Sequence, residues 1–100
     1  MENDNLRIQQ LLDLICSYQI GSTELNSLCF KSELMVEEMR PRLPSGDFSK
    51  AMNCVYVLEE INALILDEAR PVTQAEHTEI ENQLALLKKL VTVKPGLGSD

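Results

Sequence analysis

Apolar residues recur along this chain at steps of three and four, the spacing that lines one face of an α-helix. In the first such stretch Ile8, Leu11, Leu12, Ile15 and Tyr18 share a face, which predicts a helix over about residues 5–19. Asp4 stands where it can cap the start, and Gly21 where a helix end calls for a left-handed residue. A second stripe of Leu25, Leu28, Cys29, Met35, Val36 and Met39 predicts a helix capped by Ser22 or Thr23, with Glu24 near its positive end. That helix closes near Arg40, because Pro41 and Pro44 cannot continue it. Ser32 is the stripe's one polar member, while Phe30 and Leu34 lie well round from it, so this helix is expected to meet two neighbours.

After a linker over residues 41–47, Asp47 is placed to cap a third helix that reaches about Ala69 and is ended by Pro71. Ala51, Cys54, Val55, Leu58, Ile61 and Ile65 form its main apolar face. Val57, Leu64 and Leu66 widen that face, which predicts the most deeply buried helix of the set. Asn62 points toward the same stripe, where its amide can hydrogen-bond across the bundle as a packing device. The last helix opens on Thr73-Gln74-Ala75-Glu76, a capping-box pattern. Ile80, Leu84, Leu87 and Val91 follow at steps of four, three and four, with Leu90 alongside and Lys88 and Lys89 in the final turns. There is no alternating strand pattern and no internal repeat. Four amphipathic helices joined by short turns predict an all-α, antiparallel up-and-down four-helix bundle. It forms a single domain over residues 1–93, with a flexible tail over residues 94–100.

Composition sharpens this picture. With two Phe, two Tyr and no Trp in 100 residues, the core must be built from Leu, Ile, Val and Met. The net charge of −7, from 16 acidic against 9 basic residues, repels phosphate backbones and anionic membranes. Direct nucleic-acid and membrane binding are therefore disfavoured, and a basic protein is the natural partner. The same charge also serves plain solubility. Cys16, Cys29 and Cys54 lie among apolar residues without a CxxC or Cys/His cluster, and read as reduced core thiols of a cytoplasmic protein. The opening residues lack the basic and apolar regions of a signal peptide, and the apolar runs are too short to span a bilayer.

Candidate chemistry is sparse. The single histidine, His77, has no second His or Cys at ligand spacing and no positioned partner for acid–base work. Signatures of phosphate-binding loops, nucleophile elbows, zinc-protease helices and calcium loops are missing from the sequence. No enzymatic activity, cofactor or metal is expected. Acidic pairs such as Glu33 with Glu37, Glu59 with Glu60 and Asp67 with Glu68 read as solvated faces, since di-metal bundles also need an inward Glu-x-x-His element.

The outer face of helix three is more suggestive. At about 100° per residue, Ser49, Asn53, Tyr56, Glu60 and Asp67 fall in one narrow stripe opposite the apolar face. It combines an aromatic anchor with carboxylates suited to Lys and Arg. Glu33 and Glu37 on helix two, at i and i+4, form a reserve patch of the same charge. The plainer reading of the stripe is an ordinary solvent face carrying one tyrosine.

Tyr18-Gln19-Ile20-Gly21-Ser22-Thr23-Glu24-Leu25, followed by Cys29-Phe30, resembles the first inter-helix turn of colicin D-type and contact-dependent growth inhibition immunity proteins. In that family a helix ends at a short polar segment containing Ile, and an acidic and a large apolar residue start the next. Leu25 stands where the family usually carries an aromatic. Ile80-Glu81-Asn82-Gln83-Leu84 is similar to the family's last helix. The resemblance implies a helical, non-catalytic protein that neutralises a cognate toxin, a tRNA- or other RNA-cleaving nuclease domain, by covering its basic cleft. The alternative is a non-enzymatic helical adaptor or structural module, with a homodimer among its forms, whose exposed apolar strip binds a partner helix.

Overall fold

A computed structural model of the chain describes residues 2–92. Four helices account for nearly all of it: α1 (Glu2–Gln19), α2 (Leu25–Glu38), α3 (Ser45–Glu68) and α4 (Gln74–Thr92). Each packs on its neighbours in sequence, and α1 also meets α4, while the diagonal pairs keep their backbones further apart. The result is the expected all-α four-helix bundle. The tail expected over residues 94–100 lies outside the described residues.

The core is the aliphatic seam that the periodicity marks. Leu11, Leu14 and Ile15 from α1, Leu28 and Val36 from α2, Ala51, Val55 and Leu58 from α3, and Ile80, Leu84, Leu87 and Val91 from α4 are all buried. Ser32 is fully buried among them, its hydroxyl donating to the Cys29 carbonyl at 3.2 Å. That back-bond lets a polar residue occupy an apolar stripe without an orphaned donor. Cys29 and Cys54 are buried, and burial pushes both thiols up, Cys29 to about 12. Cys16 corrects the expectation of three core thiols, for it is exposed on α1.

Helix α3 is not the most buried element. Leu64 and Leu66 are 45% and 62% exposed, and no α3 residue beyond Leu58 is fully buried. The reason is length. At about 1.5 Å per residue, α3 spans about 36 Å and α2 about 21 Å. The Asn62 amide meets Asn26, the second residue of α2, with Nδ2 donating to Oδ1 at 2.8 Å. Past that point α3 outruns its antiparallel neighbour and Leu66 has no α2 surface to cover it, while Leu64, eleven residues on from Asn53, falls on the outward stripe.

The helix ends differ in detail from the expected caps. The α1 backbone begins at Glu2, so Asp4 lies inside its first turn. Glu24 rather than Ser22 or Thr23 occupies the α2 cap position, and the Thr23 hydroxyl instead meets that of Ser17 at 2.6 Å. Pro44 takes the α3 cap position, its carbonyl accepting the Phe48 amide at 2.8 Å, which leaves Asp47 in the first turn. The carboxylate still complements the helix dipole there. The Thr73 capping box forms as drawn from sequence: the Glu76 amide donates to the Thr73 hydroxyl at 3.1 Å, and the Thr73 amide to Glu76 Oε1 at 3.0 Å.

Two chain reversals share one hydrogen-bond pattern. After α1, the Ser22 amide donates to the Ser17 carbonyl and the Gly21 amide to Tyr18, with Gly21 at φ +87°. After α3, the Arg70 amide donates to Ile65 and the Ala69 amide to Leu66, with Ala69 at φ +50°. Both are Schellman motifs. A Cβ at Gly21 would meet nothing within 4 Å, so backbone conformation alone sets its cost. Gly21→Ala is expected to destabilise the bundle by about 1 kcal/mol, and Ala69→Gly to shift stability the other way, both read from urea midpoints.

The second reversal also carries a charge cluster. The Arg70 guanidinium grips Glu76 through Nη1 at 2.8 Å and Nη2 at 2.7 Å, and pairs with Glu68. Arg70 and the Thr73 amide hold the Glu76 carboxyl down from its ordinary value of 4.5 to about 2. That stabilisation is complete above pH 4.5 and drains away as pH falls toward 2. Glu76→Gln should flatten the acid limb of a stability–pH profile measured by urea denaturation, and an unchanged acid limb would show that the cluster is merely decorative.

Candidate protein-binding face

The candidate residues lie on α2 and α3, which run antiparallel and are joined across the seam by the Asn26–Asn62 side-chain hydrogen bond. From the α3 stripe, Ser49, Asn53, Tyr56, Glu60 and Asp67 all face outward, with Tyr56 half exposed. Glu33 and Glu37 on α2 are half-buried. A shallow groove between the end of α2 and the start of α3 has Glu37 on one wall and Asn53 and Tyr56 on the other. The stripe and the reserve patch are therefore parts of one surface. Asp67 stands apart: fourteen residues beyond Asn53, it is about 21 Å further along the helix.

Three features of this surface go beyond the sequence reading. Phe30 on α2 is 64% exposed beside the acidic pair, and Leu34, one turn on and 52% exposed, lines the neighbouring α1–α2 groove. Their angular offset from the apolar stripe was the available signal. Glu59, left among the solvated acids by sequence alone, is half-buried and hydrogen-bonds Glu33 across the α2–α3 seam. Burial first, then that hydrogen bond and the Glu33 charge, push its carboxyl from 4.5 to about 7. Near the groove's end the Arg40 guanidinium lies 4.4 Å from the centre of the Phe48 ring, and its Nη2 donates to Glu37 Oε1 at 2.9 Å.

The other long groove, between α1 and α2, has a different character. It is lined by Arg7, Asp13, Lys31 and Glu38, with Arg7 paired to Glu38. Its mixed charges select no particular sign of partner. His77 is exposed at the start of α4, and among the described residues no three His, Cys, Asp or Glu side chains gather into a metal-binding set. Among the same residues no helix is long and apolar enough to cross a membrane. Comparison of the chain with family models, with curated proteins and with solved structures finds no match in any of the three.

The Glu33–Glu59 contact generates a pH prediction of opposite sign to that of Glu76. A carboxyl raised above its ordinary value favours the folded state while it holds its proton. Its contribution is complete below pH 4.5 and is lost as pH rises through about 7. Glu59→Gln, whose amide can still donate to Glu33, should be more stable than the parent at pH 8 and equal to it at pH 4. Equal urea midpoints at both pH values would show that the two carboxyls do not share a proton.

Proposed function

We propose that this chain is an immunity protein, a cytoplasmic, non-catalytic inhibitor of a cognate nuclease toxin that cleaves tRNA or another RNA. The α2–α3 face covers the toxin's basic cleft. One observation carries the reading: an exposed tyrosine, an exposed phenylalanine and the carboxylates of Glu33, Glu37 and Glu60 lie on the outer side of a single helix pair. A cleft that receives phosphates is lined with Lys and Arg, and an acidic face can occupy it in the substrate's place. Long-range attraction to a chain of net charge −7 speeds encounter, and charge-assisted hydrogen bonds with aromatic anchors slow release. The inhibitor performs no reaction and needs no cofactor. Asp67, remote from the groove, belongs to the rim of such an interface.

A second reading, a helical adaptor that binds a partner helix, is favoured by Phe30 and Leu34, whose i, i+4 spacing suits a helix-in-groove contact. Salt separates the two. Charge mimicry predicts an association rate that falls steeply with ionic strength, and an apolar helix contact predicts a nearly flat response.

The decisive titration uses the cognate nuclease domain that this reading requires, with circular dichroism as the folding control. Glu37→Lys with Glu60→Lys should cost about 2–5 kcal/mol of affinity if both carboxylates are desolvated in the complex. Asp67→Lys should cost far less. Undiminished affinity in the folded double variant would sink the assignment of this face.

A further inference from the structure

We propose that the groove between the end of α2 and the start of α3 is a guanidinium slot for an arginine of the basic partner, and that Arg40 occupies it in the unbound protein. This rests on the immunity reading for the partner's basic character, but the slot is argued from its own geometry. Glu37 supplies a carboxylate and Phe48 a ring face, and Arg40 engages both at once, at 2.9 Å and 4.4 Å. A planar cation over an aromatic ring and against a carboxylate is the combination that favours Arg over Lys. The chain thus displays, with its own side chain, the ligand that the slot accepts.

Arg40 is loosely held. It lies in the turn just after α2, and its side chain is 63% exposed. Such an ion pair contributes little on its own in water. Replacing one guanidinium by another conserves both contacts and the local charge, so displacement is nearly balanced. The incoming arginine then gains what Arg40 does not use. Tyr56 and Asn53 line the same groove, and among the described residues neither the Tyr56 hydroxyl nor the Asn53 amide makes a hydrogen bond. A partner side chain in the groove has these groups within the same lining. Arg40 acts as a placeholder that keeps Glu37 and Phe48 from standing open and sets a threshold for weaker cations.

The test uses the full chain with hexa-arginine and hexa-lysine peptides as probes, followed by side-chain NMR at constant ionic strength. Hexa-arginine should bind several-fold more tightly than hexa-lysine, with the largest shifts at the Phe48 and Tyr56 rings and the Asn53 amide. Arg40→Ala should tighten hexa-arginine binding several-fold and hexa-lysine binding much less. Arg7→Ala is the charge control: it removes one positive charge from the α1–α2 groove, away from the slot. Glu37→Gln should abolish the preference for arginine. If Arg40→Ala and Arg7→Ala behave alike, or the shifts fall elsewhere, the slot is overturned. The immunity reading then stands or falls separately, on whether Glu37→Lys with Glu60→Lys still loses the nuclease domain. A slot that behaves as described beside a nuclease domain indifferent to the double variant would overturn only the immunity reading.

Discussion

The bundle depends on burying an interior that contains no fully buried aromatic ring. Among the described residues its buried hydrophobic side chains are Leu, Ile, Val, Met, Ala and Cys alone. Each removes less area from water than a Phe or Trp would, so the seam must run along the helices to accumulate enough burial. Four helices in a ring, each backbone close only to its two neighbours, provide such a long, thin core. The same constraint puts the chain's few aromatic rings at its periphery. Tyr18 and Phe48 are half-buried at the edge of the core, while Phe30 and Tyr56 stand exposed on α2 and α3. A protein so poor in aromatics that shows two of them on one helix pair concentrates its strongest surface anchors on that pair.

Unequal helix lengths decide what the α2–α3 face looks like. Where the two helices overlap, the seam brings Glu33 against Glu59 and Asn26 against Asn62. Where α3 runs on alone, Leu64 and Leu66 are left in solvent, close to the turn that Arg70 ties to Glu68 and Glu76. That turn contains the one non-glycine residue with positive φ among the described residues, Ala69. The ion cluster and capping box beside it offset the unfavourable backbone with local hydrogen bonds.

Periodicity made the fold legible because helix period, caps and breakers agreed. Gly21 announced its left-handed turn and Thr73 its capping box by residue type alone. Ala69 could not be found that way, since alanine carries no preference for the left-handed region and only the tertiary turn imposes it. The depth of α3 was legible only in part for a related reason: Leu66 widens the stripe, but burial also needs a neighbour of sufficient length, and Leu64 falls beside Asn53 on the outer face. At the candidate face, the α3 stripe could be read from angular spacing within one helix. Its union with Glu37, the Glu33–Glu59 contact and the Arg40–Phe48 stack could not, because each joins residues whose proximity is created by the antiparallel register.

The exposure of Cys16 has a practical consequence. Thiol reagents attack the thiolate, and the two other cysteines are sequestered in the core with their ionisation suppressed by burial. The folded chain therefore presents a single addressable sulfur, on a helix that contributes nothing to the α2–α3 groove. A maleimide dye would mark the unaltered protein at one defined point, outside that groove.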